Sequence, residues 1–386
     1  MEVQIVEEFK SRKPCSNLGI IALQSIKTIG KEVDEWLKKE NGIEDENFSY
    51  LIDITENRFS NGEGKVTINN SVRGKDIFIL CDIGNYGVTY DMFGYQNRMS
   101  PDEHFADIKR TISAINGKAR RIHVFMPLLY SSRQHRRKSR ESLDCAIAIR
   151  ELEDMGIDGI YTFDAHDPNI QNAIPLLSFE NIYPTAEIVE SILEVENISD
   201  ENLAENKMTI IAPDTGAMDR AIYYSNVLKQ DIGLYYKRRD YTKVVNGKNP
   251  IIEHKYIGRD VDGIDILIVD DMIASGGSVL DIANDLKGKN ANRVFCAVSF
   301  ALFTEGLEKF DKAYEDGIID RVFSTNMTYV PEEILEKPWF YQVNTSDLMA
   351  QFIWHVSQDS SVSKLLDKTR GIKRLVKAEE QLKLDL

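Results

Sequence analysis

The sequence predicts an α/β protein made of two doubly wound domains with mainly parallel sheets. Three observations carry that expectation. Strand-like apolar runs alternate with helical patterns through both halves of the chain. Residues able to do chemistry stand repeatedly where an apolar run ends, the edge at which α/β sheets keep their sites. At 386 residues, the chain also exceeds what one core usually supports. The domains are expected at residues 1–182, joined by C-terminal helices over 345–386, and at residues 183–344.

Taken in order, residues 20–37 show a helical pattern, followed by an acidic, loop-like piece over 42–47. Ser60-Asn61-Gly62 reads as the turn of a hairpin, with Phe59 as a core aromatic. A strand over 77–81 leads to residues 83–101, where Gly84, Gly87, Gly94 and several tyrosines make a long aromatic-rich loop, a functional element or a surface insertion. A helix over 101–116 places Phe105, Ile108, Ile112 and Ile115 on one face, and a strand follows over 121–126. Arg133, Arg136, Arg137, Lys138 and Arg140 are five cations in eight residues of an acidic chain. They suggest an anion site, against the alternative of a solvated charge run.

A helix over 141–155, closed by Gly156, leads to a strand over 158–163 that ends in Asp164-Ala165-His166-Asp167. A lone histidine is more often structural than catalytic, so local chemistry alone leaves His166 open. Residues 179–184 read as the crossing into the second domain. A helix follows, marked by Ile188, Ile192 and Val195, then a polar linker over 197–206. The strand over 208–212 ends in Pro213-Asp214-Thr215-Gly216, which a plain turn would also explain. Lys237-Arg238-Arg239 comes directly after a short apolar strand, and such cations stabilise charge spreading over a transferring phosphoryl group. Residues 241–256, with Asn246-Gly247 at their centre, read as a β-hairpin flap.

Residues 263–286 have the order strand, acidic pair, glycine loop, helix. The apolar run over 264–269 is expected to stop at Asp270 and Asp271. In Ala274-Ser275-Gly276-Gly277-Ser278 the glycines turn amide groups inward, the helix N-terminus adds a positive dipole end, and the hydroxyls donate, so the loop can cradle a phosphate. The two carboxylates beside it can accept from vicinal sugar hydroxyls. G-x-G-x-x-G is absent and no Gly-Lys-Ser/Thr follows, so this is neither a dinucleotide fingerprint nor a Walker loop. Strands over 293–299, 321–323 and 340–343, a helix over 304–316 and a helical tail over 347–382 complete the pattern. Leu365, Leu366, Ile372, Leu375 and Val376 give the tail an apolar face to dock on the first domain or a partner.

Composition bounds the rest. Hydrophobic residues make up 42% and charged ones 28%, ordinary for a globular enzyme. A net charge of −15 argues against general affinity for nucleic acid or anionic membrane. Cys15, Cys81, Cys145 and Cys296 show neither C-x-x-C nor zinc spacing. With no signal-peptide pattern and no apolar run of membrane length, a cytoplasmic protein with reduced thiols is expected.

Residues 269–278 resemble the ribose-phosphate loop of type I phosphoribosyltransferases and of ribose-phosphate pyrophosphokinases, which share that fold. Residues 57–326 resemble the pyrophosphokinases in motif order. The resemblance implies ATP binding by Phe59, Asn61 and Glu63, reaching a neighbouring subunit's site, and by Arg133, Gln134 and His166. It implies a catalytic loop with Lys237 and Arg239, joined by His166. Mg2+ is implied at His166 and Asp214, and ribose 5-phosphate at Asp270, Asp271, Ser275, Gly276, Gly277 and Ser278. His135 stands where the family usually has Asp, and Ala274 where it usually has a carboxylate. The implied reaction moves the β,γ-diphosphoryl group of ATP to the C1 hydroxyl of ribose 5-phosphate, giving phosphoribosyl diphosphate and AMP, in a dimer-based homo-oligomer, a hexamer among the options. The alternatives are a phosphoribosyltransferase consuming that product and a catalytically silent relative that regulates an active enzyme.

Overall fold

Leu18-Gly19-Ile20-Ile21-Ala22 is an unbroken run of small and apolar residues with no helical period. In the computed structural model it forms a strand, β1 (Leu18–Ala22), buried in its first four residues. The helix expected over 20–37 therefore begins later, as α1 (Lys27–Glu40), whose Val33 and Leu37 are buried. The structure describes residues 17–137, 140–198, 203, 205, 207–239 and 251–367, with the backbone alone for 237–239 and 251–254. These divide into two compact units. The first comprises residues up to Tyr183 with Asn326–Val330 and Asn344–Leu366, and the second Pro184–Thr325 with Pro331–Val343 and onward from Asp367.

In the first unit, β2 (Ile54–Arg58) and β3 (Gly64–Ile68) make an antiparallel hairpin. After β4 (Asp76–Leu80) comes a second hairpin, β5 (Thr89–Met92) and β6 (Tyr95–Arg98), within the stretch 83–101 expected as a long loop. Helix α2 (Pro101–Ile115) starts with a full capping box, in which Ser100 and Glu103 satisfy each other's N–H groups, and has Pro101 in its first turn. Next are β7 (Arg121–Phe125), α3 (Asp144–Asp154), β8 (Gly159–Phe163) and β9 (Ser178–Ile182). The sheet runs β1-β4-β7-β8-β9, all parallel. Residues 179–183, read as a crossing, thus belong mostly to an edge strand. One face of the sheet packs Ile77, Ile79, Val124 and Ile160 against Ile108, Ile112, Ile149 and Leu152. On the other face, Phe352 of the helix Ser346–Ser357 meets Phe125 and Tyr161 edge to face. Leu365 and Leu366 are partly exposed in a short helix, Ser363–Leu366. Ile372, Leu375 and Val376 lie outside the described residues.

In the second unit, α4 (Thr185–Val195), β10 (Met208–Ala212) and α5 (Met218–Leu228) are followed by β11 (Asp231–Arg239), β12 (Ile251–Ile257), β13 (Asp265–Ile273), α6 (Gly277–Lys287), β14 (Val294–Ala301), α7 (Glu308–Glu315) and β15 (Arg321–Thr325). A short helix, α8 (Glu332–Leu335), precedes β16 (Phe340–Val343). The sheet order is β12-β11-β10-β13-β14-β15-β16, parallel except for β12, which runs antiparallel to β11. Its core gathers Ile210, Leu267, Val269, Phe295 and Phe323 under Ile188, Ile192, Ala221 and Tyr224.

Two expectations need correction here. β13 does not stop at the acidic pair; it runs through Asp270 and Asp271 to Ile273, because β14 continues to pair with it as far as Ala301. Likewise β11 does not end before the cations but carries Lys237, Arg238 and Arg239 in its backbone pairing with β12, with a bulge between Arg238 and Arg239. The centre of the expected flap, with Asn246-Gly247, lies outside the described residues. Among the described residues, no helix is long and apolar enough to cross a membrane.

Candidate active site

The strand order of the second unit reverses at β10: β11 lies on one side of it and β13 on the other. Open α/β sheets bind ligands outside the carboxyl ends of strands at such a point. Both flanking loops here carry functional candidates. After β10, Asp214 caps the turn Thr215–Ala217, its Oδ1 accepting from the N–H groups of Gly216 (2.8 Å) and Ala217 (3.3 Å). Its Oδ2 is left without a partner among the described residues.

After β13 the chain must turn into α6 without a side chain in the way. Gly276 does this at φ 79°, and a Cβ there would lie 2.3 Å from the Phe310 ring. No side chain caps the helix. The N–H groups of Ser275, Gly276 and Gly277 have no acceptor among the described residues, so three donors converge at the positive end of a helix dipole.

Period-2 geometry puts Asp270 and Asp271 on opposite faces of β13. Asp271 is buried, at 3% exposure, and its N–H donates to Asp270 Oδ1 at 2.9 Å. Asp270 is half-buried, with Arg220 Nη1 3.8 Å from its Oδ1. Burial and then the Asp271 carboxyl raise the Asp270 pKa, against the opposing pull of Arg220. Arg220 is the neighbour that the sequence did not single out. Its only signal was a place six residues after Asp214, on the helix leaving the same loop.

In the first unit, the candidates gather at the carboxyl ends of β7 and β8. Arg133 and Gln134 lie exposed on a short turn, Ser132–Gln134. His135, next in the chain, donates from Nδ1 to Ser132 O at 3.0 Å, and its Nε2 is 3.3 Å from Asp167 Oδ2. The His135 ring is 5.3 Å from that of His166, which is exposed. Asp164, at φ 40°, turns the chain after β8, and Asn181 Oδ1 accepts from the Ala165 N–H at 2.9 Å. Thus His135, His166 and Asp167 are brought together, with a carboxylate returned to the neighbourhood of His135 by Asp167, and Arg133 and Gln134 stand on the adjoining turn. That pairing was not legible from the sequence. Its signal was Asp167 directly after His166.

Phe59, expected as a core aromatic, is 50% exposed. The turn that follows it is tight. Gly62 N–H donates to Phe59 O, Asn61 Nδ2 donates to Glu63 Oε2 at 3.0 Å, and Glu63 N–H donates to Asn61 Oδ1 at 3.1 Å. Arg58 anchors the hairpin to α2 through an ion pair with Asp107, both side chains being nearly buried. Among the described residues no three His, Cys, Asp or Glu side chains cluster as a metal cage.

Two family models match this chain in succession. The N-terminal domain of ribose phosphate pyrophosphokinase matches residues 18–156, and the phosphoribosyl transferase domain matches residues 178–331. The chain belongs to the ribose-phosphate pyrophosphokinase family. A ribose-phosphate pyrophosphokinase of Vibrio cholerae is 28% identical over 330 residues, covering 84% of this chain and 94% of the relative. One of Prochlorococcus marinus is 23% identical over 354 residues, 91% and 94% of the two chains. A solved phosphoribosylpyrophosphate synthetase of Mycobacterium smegmatis superposes with a TM-score of 0.68 at 21% identity, over 89% of this chain and all of that one. This likeness shows the fold, two α/β halves with mainly parallel sheets and a type I phosphoribosyltransferase domain in the second.

Proposed function

We propose that this chain is a ribose-phosphate diphosphokinase, which transfers the β,γ-diphosphoryl group of ATP to the C1 hydroxyl of ribose 5-phosphate and releases AMP. Family membership supports the reaction. The observation that carries the reading within the structure is the contact of His135 with His166 and Asp167 at a strand end of the first unit, with Arg133 and Gln134 on the adjoining turn. A phosphoribosyltransferase needs a phosphate cradle and carboxylates, but has no use for a second, cationic strand-end cluster of this kind.

In this reading the amides of residues 275–278, with the Ser275 and Ser278 hydroxyls, hold the 5-phosphate. Asp270 accepts from a ribose hydroxyl and is steadied by the backbone N–H of Asp271, whose own carboxylate, expected at the ribose, is instead buried on the other face of the strand. Arg133 and His166 meet the ATP phosphates, and Gln134 adds a polar contact to the nucleotide. Phe59 lies against the adenine, with Asn61 and Glu63 at its edge, in the site of a neighbouring subunit of a homo-oligomer. Lys237 and Arg239 meet the charge that develops as the C1 oxygen attacks the β-phosphorus in line.

An ATP-using diphosphokinase generally needs a metal ion, and we take it to be Mg2+. The residues fit it: Asp214 Oδ1 is fixed by two N–H donors while Oδ2 is open, suiting a hard cation that takes its other ligands from phosphates and water. Asp214 in the second unit and His166 in the first are each candidate ligands, and the ion when bound would neutralise charge on the phosphate oxygens. We place the protein in the cytoplasm. The test is incubation with Mg-ATP and ribose 5-phosphate. AMP should form only when both are present, and well-folded protein that makes none would sink the reading.

A further inference from the structure

The hairpin β5–β6 has no part in the reaction described so far. Its strands pair Met92 with Tyr95, leaving a two-residue turn of Phe93 and Gly94. Their φ angles are 50° and 81°, both positive, as in the type I′ turn of tight hairpins. Asn or Gly fits the first of these positions at little steric cost, whereas a bulky aromatic there is an outlier. The ring does not repay that cost in packing, because Phe93 is 73% exposed.

The turn is also fixed in place. The Phe93 N–H donates to Ser60 O at 3.0 Å, across to the turn of the first hairpin. Met92 Sδ lies only 2.7 Å from where a Cβ on Gly62 would stand, at φ 92°, so the two tips approach closely where Gly62 carries no side chain. Behind the tips, Tyr90 donates to Glu103 of α2, and the Arg58 guanidinium lies 5.7 Å from the centre of the Tyr90 ring. A backbone bond, a close approach and a cation–π contact thus hold Phe93 beside the turn that bears Phe59. Neither phenyl ring has an aromatic partner among the described residues, so both keep open faces.

We propose that Phe93 is a second stacking residue for the adenine of ATP, so that the base meets two exposed rings carried on two hairpin tips. The proposal rests on the assignment of Phe59 to the adenine. It fits the chemistry of a purine, a flat π surface with a polar edge, since Asn61 and Glu63 lie on the same turn as Phe59.

The test is steady-state kinetics of Phe93→Ala, Phe93→Trp and Phe59→Ala in the full chain, with folding checked by circular dichroism and mass by light scattering. Loss of one base–aromatic stack raises KM for ATP by about 5- to 150-fold. Phe93→Ala should show a rise in that range, not shared by KM for ribose 5-phosphate, and Phe93→Trp should restore the parent value. If Phe59→Ala raises KM for ATP and Phe93→Ala leaves it within twofold, the proposal is overturned while the adenine reading of the first hairpin stands. If neither variant moves it, both fall. A changed oligomeric mass for Phe93→Ala with unchanged KM would make the ring a contact between copies of the chain, and would also overturn the proposal.

Discussion

The two units share one plan and put it to different chemical uses. In each, a parallel sheet is clamped by ion pairs where strands begin and carries candidate groups where strands end. At the starting edge of the first sheet, Asp76 opens β4 and is held by Arg120 and Arg121. At that of the second, Asp265 opens β13 and is held by Arg293 at 2.6 Å and by Asn292 at 2.8 Å. The finishing edges diverge. The first presents side-chain cations and imidazoles, Arg133, His135 and His166. The second presents backbone amides from residues 275–277 with the Asp270 carboxylate. The difference follows the ligand each would hold: long side chains can adjust to a flexible triphosphate, while a fixed nest of amides suits a compact phosphomonoester.

The comparison is broken most decisively at the cations of β11, which belong to the second unit yet should act on the ATP side. Lys237→Ala should lower kcat by about 10³-fold while leaving ribose 5-phosphate affinity, measured by calorimetry, nearly unchanged. A comparable loss of that affinity would make Lys237 a ground-state binder.

The rigid character of the second finishing edge is tested at Gly276. In Gly276→Ala the new methyl meets the Phe310 ring at a left-handed position, which should cost about 2–4 kcal/mol in urea unfolding. KM for ribose 5-phosphate should rise at least about tenfold, with KM for ATP less affected, since a displaced loop loses its aligned donors. At the adaptable first edge, Arg133→Ala removes one charged contact and should raise KM for ATP about 10- to 100-fold, leaving stability unchanged within about 0.5 kcal/mol.

The smallest effect concerns the clamps. Burial pushes the Asp76 carboxyl up, but its bonds to Arg120 and Arg121 outweigh that and hold the pKa at about 2. The folded pKa is below the unfolded one. The clamp's contribution is therefore present above about pH 4 and lost as pH falls towards about 2. Asp76→Asn should lower stability at neutral pH by about 1–2 kcal/mol, screened as the arginines are, and should flatten the loss of stability between those pH values. An acid limb as steep as the parent's would place the sensitivity elsewhere.

Much of this plan can be read in the sequence, and the limits have physical causes. The glycine turn at Gly276 and the apolar face of α2 are local patterns, so they survive without tertiary context. The first strand is not legible because Leu18 to Ile21 are all buried and the run shows neither period. The continuation of β13 through Asp270 and Asp271 depends on pairing with β14, which no local pattern encodes. For the same reason the motif positions were legible while Arg220, Asp167 and the Arg58–Asp107 anchor were not: each becomes a neighbour only after folding. Phe59 shows the converse. Local chemistry placed it in the core, and the short hairpin instead leaves it half exposed.

The central claim is that the C1 oxygen of ribose 5-phosphate attacks the β-phosphorus of ATP. It is tested most directly by ribose 5-phosphate labelled with oxygen-18 at C1, with mass spectrometry of both products. The account predicts that the label stays in phosphoribosyl diphosphate, at the bridge between C1 and phosphorus, and that AMP is unlabelled. An adenylyl group joined to the labelled C1 oxygen with release of pyrophosphate, from attack at the α-phosphorus, or a single phosphoryl group at C1 with release of ADP, from attack at the γ-phosphorus, would contradict it.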